Sequence, residues 1–116
     1  MENKFKYIST TQIDALAGGD TDFKKDLSTI FLEQIEEFVA KMSQFLKDQE
    51  WKKLAREAHT AKSSAMTFGM EDTGNLLKNI QLDCESGERE KVPQMVEDAI
   101  SQLQGAVPEL KQILDS

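Results

Sequence analysis

Asp20 to Leu46 reads DTDFKKDLSTIFLEQIEEFVAKMSQFL, and its apolar residues Phe23, Leu27, Ile30, Phe31, Ile35, Phe38, Met42, Phe45 and Leu46 return every three or four positions. That interval matches the turn of an α-helix and lays an apolar stripe along one face. Asp20 or Thr21 supplies the side-chain oxygen that caps the first free N–H groups. Lys47-Asp48-Gln49-Glu50 interrupts the pattern and reads as a short connection.

The same periodicity continues on the C-terminal side. A second helix turns Trp51, Leu54, Ala58, Ala61, Ala65 and Phe68 inward and ends at Gly69. A third opens at Glu71 or Asp72, carries Thr73, Leu76, Leu77, Ile80 and Cys84 on its stripe, and closes at Ser86-Gly87. The last begins near Val92 and Pro93, with Val92, Val96, Ala99, Ile100, Leu103, Val107, Leu110 and Leu114 inward. Pro108 lacks an N–H and collides with the carbonyl four residues back, which predicts a kink or break between Gly105 and Pro108.

On the N-terminal side, Ser9, Thr10 or Thr11 caps a short helix carrying Ile13 and Leu16, and Gly18-Gly19 ends it. No run of alternating β-branched residues bounded by tight turns argues for a strand. The expected fold is all-α: an antiparallel, up-down-up-down four-helix bundle with a short extra N-terminal helix covering one end. Neither an internal repeat nor a linker divides the chain, so residues 1–116 read as a single domain.

Composition narrows the function. The chain has 116 residues, 39% hydrophobic and 30% charged, which suits one core. With Gly 6, Pro 2 and Cys 1, and no apolar window of the ~18 residues that a spanning helix needs, collagen-like, disulfide-rich and membrane-spanning classes fall away. Fourteen basic against 21 acidic residues give a net charge of −7, with no compensating basic block, which argues against nucleic acid as a partner. One His and one Cys cannot build a multi-His or thiolate metal site, so no metal is expected. Met1-Glu2-Asn3-Lys4 leads into no apolar leader, and Cys84 alone closes no disulfide, so a cytoplasmic setting is expected.

His59 is then the candidate for chemistry. At ~100° per residue it points about 120° away from the stripe of Trp51, Leu54, Ala58, Ala61 and Ala65, toward water. Ala55, Lys62, Ser63 and Met66 are its neighbours on the helix surface, with Lys52 a turn further back. A neutral imidazole is a good nucleophile at cellular pH, and an adjacent ammonium such as Lys62 offsets the charge of a transferred phosphoryl group. A solitary exposed His on an amphipathic helix is usually only a solvated polar residue. A haem or metal ligand in a bundle projects inward, typically from Glu-x-x-His, and Arg56 stands where that Glu belongs.

The segment Ala58-His59-Thr60-Ala61-Lys62-Ser63-Ser64-Ala65-Met66-Thr67-Phe68-Gly69 resembles the signature of the histidine-containing phosphotransfer (HPt) domain family, roughly A-H-x-L-K-G-S-S with a later glycine. It matches at Ala58, His59, Lys62, Ser64 and Gly69, and the likeness spans roughly residues 8–115. The resemblance implies a four-helix bundle with an added N-terminal helix. It also implies His59 as the phosphoacceptor through Nε2, Lys62 as the residue that neutralises the phosphoryl group, and Gln81 as a hydrogen-bonding partner near the imidazole. Two positions depart from the pattern: Ser63 replaces the usual Gly and Ala61 the usual Leu. Serine is still small, and its hydroxyl has either the helix backbone or the phosphoryl group to bond to.

The resemblance further implies a monomeric phosphocarrier rather than an enzyme, consistent with the absence of P-loop, G-x-G-x-x-G and kinase motifs. Its partners would be response-regulator receiver domains and a hybrid histidine kinase, with no resident cofactor and with Mg²⁺ brought by the receiver. The expected docking footprint is Ala55, Lys62, Ser63 and Met66 on one side of a groove and Lys78, Gln81, Leu82 and Glu85 on the other. Leu82 and Met66 also read as ordinary packing residues. A helical adaptor that binds a receiver or kinase domain without phosphorylation is the alternative from another class.

Overall fold

The computed structural model describes residues 5–115, so the reading of Met1–Lys4 lies outside the described residues. In chain order the helices are α1 (Thr11–Ala17), α2 (Thr21–Lys47), α3 (Trp51–Thr67), α4 (Glu71–Ser86) and α5 (Val92–Asp115), with no strand among the described residues. Helix α2 packs on α3 and α5, and α4 packs on the same two helices, closing a ring of antiparallel neighbours around one core. Helix α1 packs on the start of α2, and Ser9 N–H donates to Phe68 O, so the N-terminal segment covers the end of the bundle that holds the α3–α4 turn.

Local chemistry sets the helix ends. Asp20 caps α2, its carboxylate accepting from Phe23 N–H at 3.0 Å, an interaction typically worth ~1 kcal/mol. Helix α3 ends in a Schellman turn: Gly69 N–H donates to Met66 O and Met70 N–H to Ala65 O. Gly69 has φ +71, and a Cβ there would stand 2.5 Å from Ser9 Cβ, so both backbone angle and space require glycine. The turn after α2 closes the same way, with Gln49 N–H on Leu46 O and Glu50 N–H on Phe45 O, yet Gln49 takes φ 54 without being glycine.

The core holds Phe31, Ile35, Phe38 and Met42 from α2, with Phe31 stacked on Phe68 at 4.6 Å between centroids. From α3 come alanines 55, 58, 61 and 65, whose small side chains bring α3 close to α4. Some expected inward positions fall elsewhere. Leu16, Phe23 and Ile30 are exposed at 59%, 42% and 52%, because α1 covers only the bundle end and α2 faces two neighbours across a limited arc. In α5, Ala106 and Ile113 are buried while Val107 and Leu114 are half-buried, a rotation of the stripe by one residue toward the far end.

The expected break at Pro108 is absent: α5 runs unbroken from Val92 to Asp115. An interior proline costs roughly 3 kcal/mol, but Leu110 and Ile113 beyond it are buried, each worth about 1.5–3 kcal/mol. The next residue adds a second anchor. Glu109 Oε1 accepts from Ile8 N–H at 2.9 Å and Tyr7 N–H at 3.0 Å, and Oε2 accepts from Lys6 N–H at 2.9 Å. The Tyr7 ring lies over Gly105, where a Cβ would meet Cε2 at 2.5 Å.

Candidate functional site

His59 lies on the outer side of α3 and is exposed, as its angular position predicts. Across the α3–α4 seam its Nδ1 is 3.1 Å from Gln81 Oε1. Gln81 Nε2 in turn donates to Glu85 Oε2 at 3.3 Å. A carbonyl oxygen only accepts, so in the neutral ring this contact favours the tautomer with the proton on Nδ1 and the lone pair on Nε2. Among the described residues no hydrogen bond involves Nε2.

Beside the ring an open recess of about 320 Å³ is lined by Lys52, Ala55, Arg56, His59, Gln81 and Glu85. Ala55 is only 4% exposed, so it forms the floor of the recess rather than a projecting contact. Its methyl group keeps the space beside the imidazole free. Lys62 is half-buried, and its stem runs beside Gly74 of α4, where a Cβ would lie 4.0 Å from Lys62 Cγ. Met66 Sδ would overlap the same Cβ, so a glycine at 74 is what allows Met66 to lie across the seam. Among the described residues, none of Lys52, Arg56, Lys62 and Lys78 has a carboxylate within salt-bridge distance. In a chain of net charge −7, two of these cations, Lys52 and Arg56, line the recess beside its single histidine together with Glu85.

Ser63 is exposed, and among the described residues its hydroxyl makes no hydrogen bond to the helix backbone, whereas Thr60 and Thr67 bond to the carbonyls of Arg56 and Ser63. Ser64 has a structural task, donating to Gln34 Oε1 at 2.8 Å and tying α3 to α2. Lys78 and Leu82 lie on the exposed side of α4, Leu82 at 48% and Met66 at 37% exposure. The structure therefore joins His59 directly to Gln81 and sets Lys62, Ser63 and Met66 along the same outer face. The sequence places Arg56 three residues before His59 and Glu85 in the docking footprint; the structure adds that Arg56 lines the recess and that Glu85 bonds to Gln81, its i−4 neighbour.

Cys84, the other side chain with nucleophilic chemistry, is 4% exposed on the core side of α4, and burial pushes its thiol pKa up to about 11. It is chemically quiet where His59 is accessible. Among the described residues no cluster of His, Cys, Asp or Glu could hold a metal ion, and no helix is long and apolar enough to cross a membrane.

No curated protein matches the chain. Among solved structures, the crystal structure of histidine-containing phosphotransfer protein B (HptB) from Pseudomonas aeruginosa PAO1 has the same fold, with a TM-score of 0.83, 18% sequence identity, and coverage of 91% of this chain and 92% of that one. The family model for the Hpt domain matches residues 26–115. That span takes in α2 from Asp26 onward and all of α3, α4 and α5, including both sides of the seam at His59, and on that match the chain belongs to the Hpt domain family.

Proposed function

We propose that this protein is a phosphorelay carrier in two-component signalling: His59 takes a phosphoryl group from a phosphoaspartate on a receiver domain, including that of a hybrid histidine kinase, and passes it to an aspartate on another receiver. The hydrogen bond between His59 Nδ1 and Gln81 Oε1 carries this reading, because it leaves the Nε2 lone pair as the nucleophile on an exposed ring.

In the forward step Nε2 attacks phosphorus, the N–P bond forms, and the P–O bond to the aspartyl carboxylate breaks with its electron pair leaving on the carboxylate. The proton on Nδ1 stays, so the ring gains positive charge as the bond forms. The Gln81 carbonyl is already aligned to that proton, and its bond strengthens as the charge develops, which favours the transition state over the ground state. Lys62 offsets the negative charge of the transferred group. The receiver contributes Mg²⁺ and the in-line geometry; this chain contributes a positioned nucleophile and a docking face. That face takes in the exposed Ser63, Met66, Lys78 and Leu82, with Ala55 as the floor of the recess and not a contact, and one carrier molecule engages one receiver at a time. The protein has no nucleotide-binding motif of its own and works as a carrier rather than an enzyme.

Incubation with a phosphorylated receiver tests this. The parent is expected to take up acid-labile, alkali-stable label, and His59→Gln to take up none while keeping its helical circular dichroism. Equal labelling of both proteins would overturn the assignment. Equal receiver affinity with no transfer by either would point to the adaptor alternative.

A further inference from the structure

Glu85 sits one turn beyond Gln81 on α4 and lines the same recess as His59. The proposed chemistry does not use it directly, and a carboxylate beside an incoming phosphoryl group is unfavourable on charge alone. The side-chain hydrogen bond that it accepts from Gln81 explains its place. The two ends of a carboxamide occupy nearly the same volume, so packing alone does not choose which one faces the ring. An ionised carboxylate accepts and cannot donate. With Gln81 Nε2 held to Glu85 Oε2 at 3.3 Å, the amide oxygen is the end left for Nδ1 at 3.1 Å.

We infer that Glu85 is a positioning residue for His59: through the Gln81 amide it holds the ring proton on Nδ1 and leaves Nε2 unprotonated. The inference rests on the phosphocarrier reading for its consequence, but not for its geometry. The reversed amide would set Oε1 against the Glu85 carboxylate and an N–H donor against Nδ1. Nδ1 would then have to carry the lone pair, with the proton on Nε2, where attack on phosphorus is blocked. Glu85 penalises that arrangement by oxygen–oxygen repulsion and rewards the productive one with a charge-assisted bond. The chain of bonds from carboxylate to amide to ring also polarises in one direction, so the Nδ1–H bond tightens as the ring becomes cationic. Glu85 acts from the Nδ1 side of the imidazole, and Lys52 and Arg56 line the recess with it, which limits the repulsion felt by the phosphoryl group.

Nitrogen-15 NMR of the histidine ring, at a pH where the imidazole is neutral, reads the tautomer without any phosphotransfer. The parent is expected to show Nδ1–H as the major form. Glu85→Gln, which offers Gln81 a partner in either orientation, should shift the Nδ1–H to Nε2–H ratio by about threefold to tenfold toward Nε2–H, the span of one net hydrogen bond. The same substitution in a Gln81→Glu background should leave the ratio unchanged, because a carboxylate at 81 accepts from Nδ1 in either orientation. An unchanged ratio in Glu85→Gln alone, or a parent dominated by Nε2–H, would overturn the inference. The tautomer responding as stated in a protein that takes up no label would instead sink the phosphocarrier reading while leaving the positioning role intact.

Discussion

Two glutamates, Glu85 on α4 and Glu109 on α5, do the same elementary job of accepting N–H groups, and their surroundings give them different consequences. Glu109 receives the backbone N–H groups of Lys6, Tyr7 and Ile8 and fastens the N-terminal segment over the bundle end. Those donors belong to the main chain, and the ones at Tyr7 and Ile8 are partly buried, so losing the acceptor leaves groups that water cannot fully satisfy. Glu85 receives one amide on an exposed seam, where water can replace it. The first carboxylate stabilises the fold; the second orients a side chain. One bundle thus separates its structural polar contacts, at the end, from its chemical ones, along the α3–α4 seam.

The largest effect that would break this separation is at the bundle end. Glu109→Ala should lower stability by about 2–3 kcal/mol, near 10 °C in melting temperature, with phosphotransfer at low temperature unchanged. A matching loss of transfer would mean that the two regions are coupled. On the seam the sign reverses: Lys62→Ala should reduce transfer or shorten the phosphohistidine lifetime by about tenfold. Its denaturation midpoint should stay within ~0.5 kcal/mol of the parent, as for most surface substitutions. Unfolding of that variant would make Lys62 a packing residue. The smallest effect concerns Gln49, which holds φ 54 in the α2–α3 turn. Gln49→Gly relieves a left-handed backbone at a side-chain-bearing residue and should raise stability by ~0.5–1 kcal/mol, read by urea denaturation, without altering transfer.

What the sequence made legible follows the same division. Helix number, order and most ends were readable because periodicity and caps are local: Asp20, Gly18, Gly69 and Gly87 each end or begin a helix where their chemistry predicts. The break that the local rule allows at Pro108 does not form, because non-local contacts outweigh it: the burial of Leu110 and Ile113 and the Glu109 clamp, which no window of sequence displays. Phe23 and Ile30 were misread because an apolar stripe wider than the surface its neighbours cover leaves its edges in water. At the site, the outward direction of His59 came from angle alone, and Gln81 came from the family resemblance. The bond from Gln81 to Glu85 was within reach of i,i+4 spacing, but its meaning depends on which amide end meets a ring on another helix.

The seam is most directly tested by correlating phosphorus-31 with nitrogen-15 in protein labelled at the histidine ring, after incubation with a phosphorylated receiver domain. A single N–P coupling at His59 Nε2, with Nδ1 still bearing its proton, is the expected result. Coupling at Nδ1, phosphate on the Ser63 hydroxyl, or no bound phosphorus from any receiver of the same genome would contradict it.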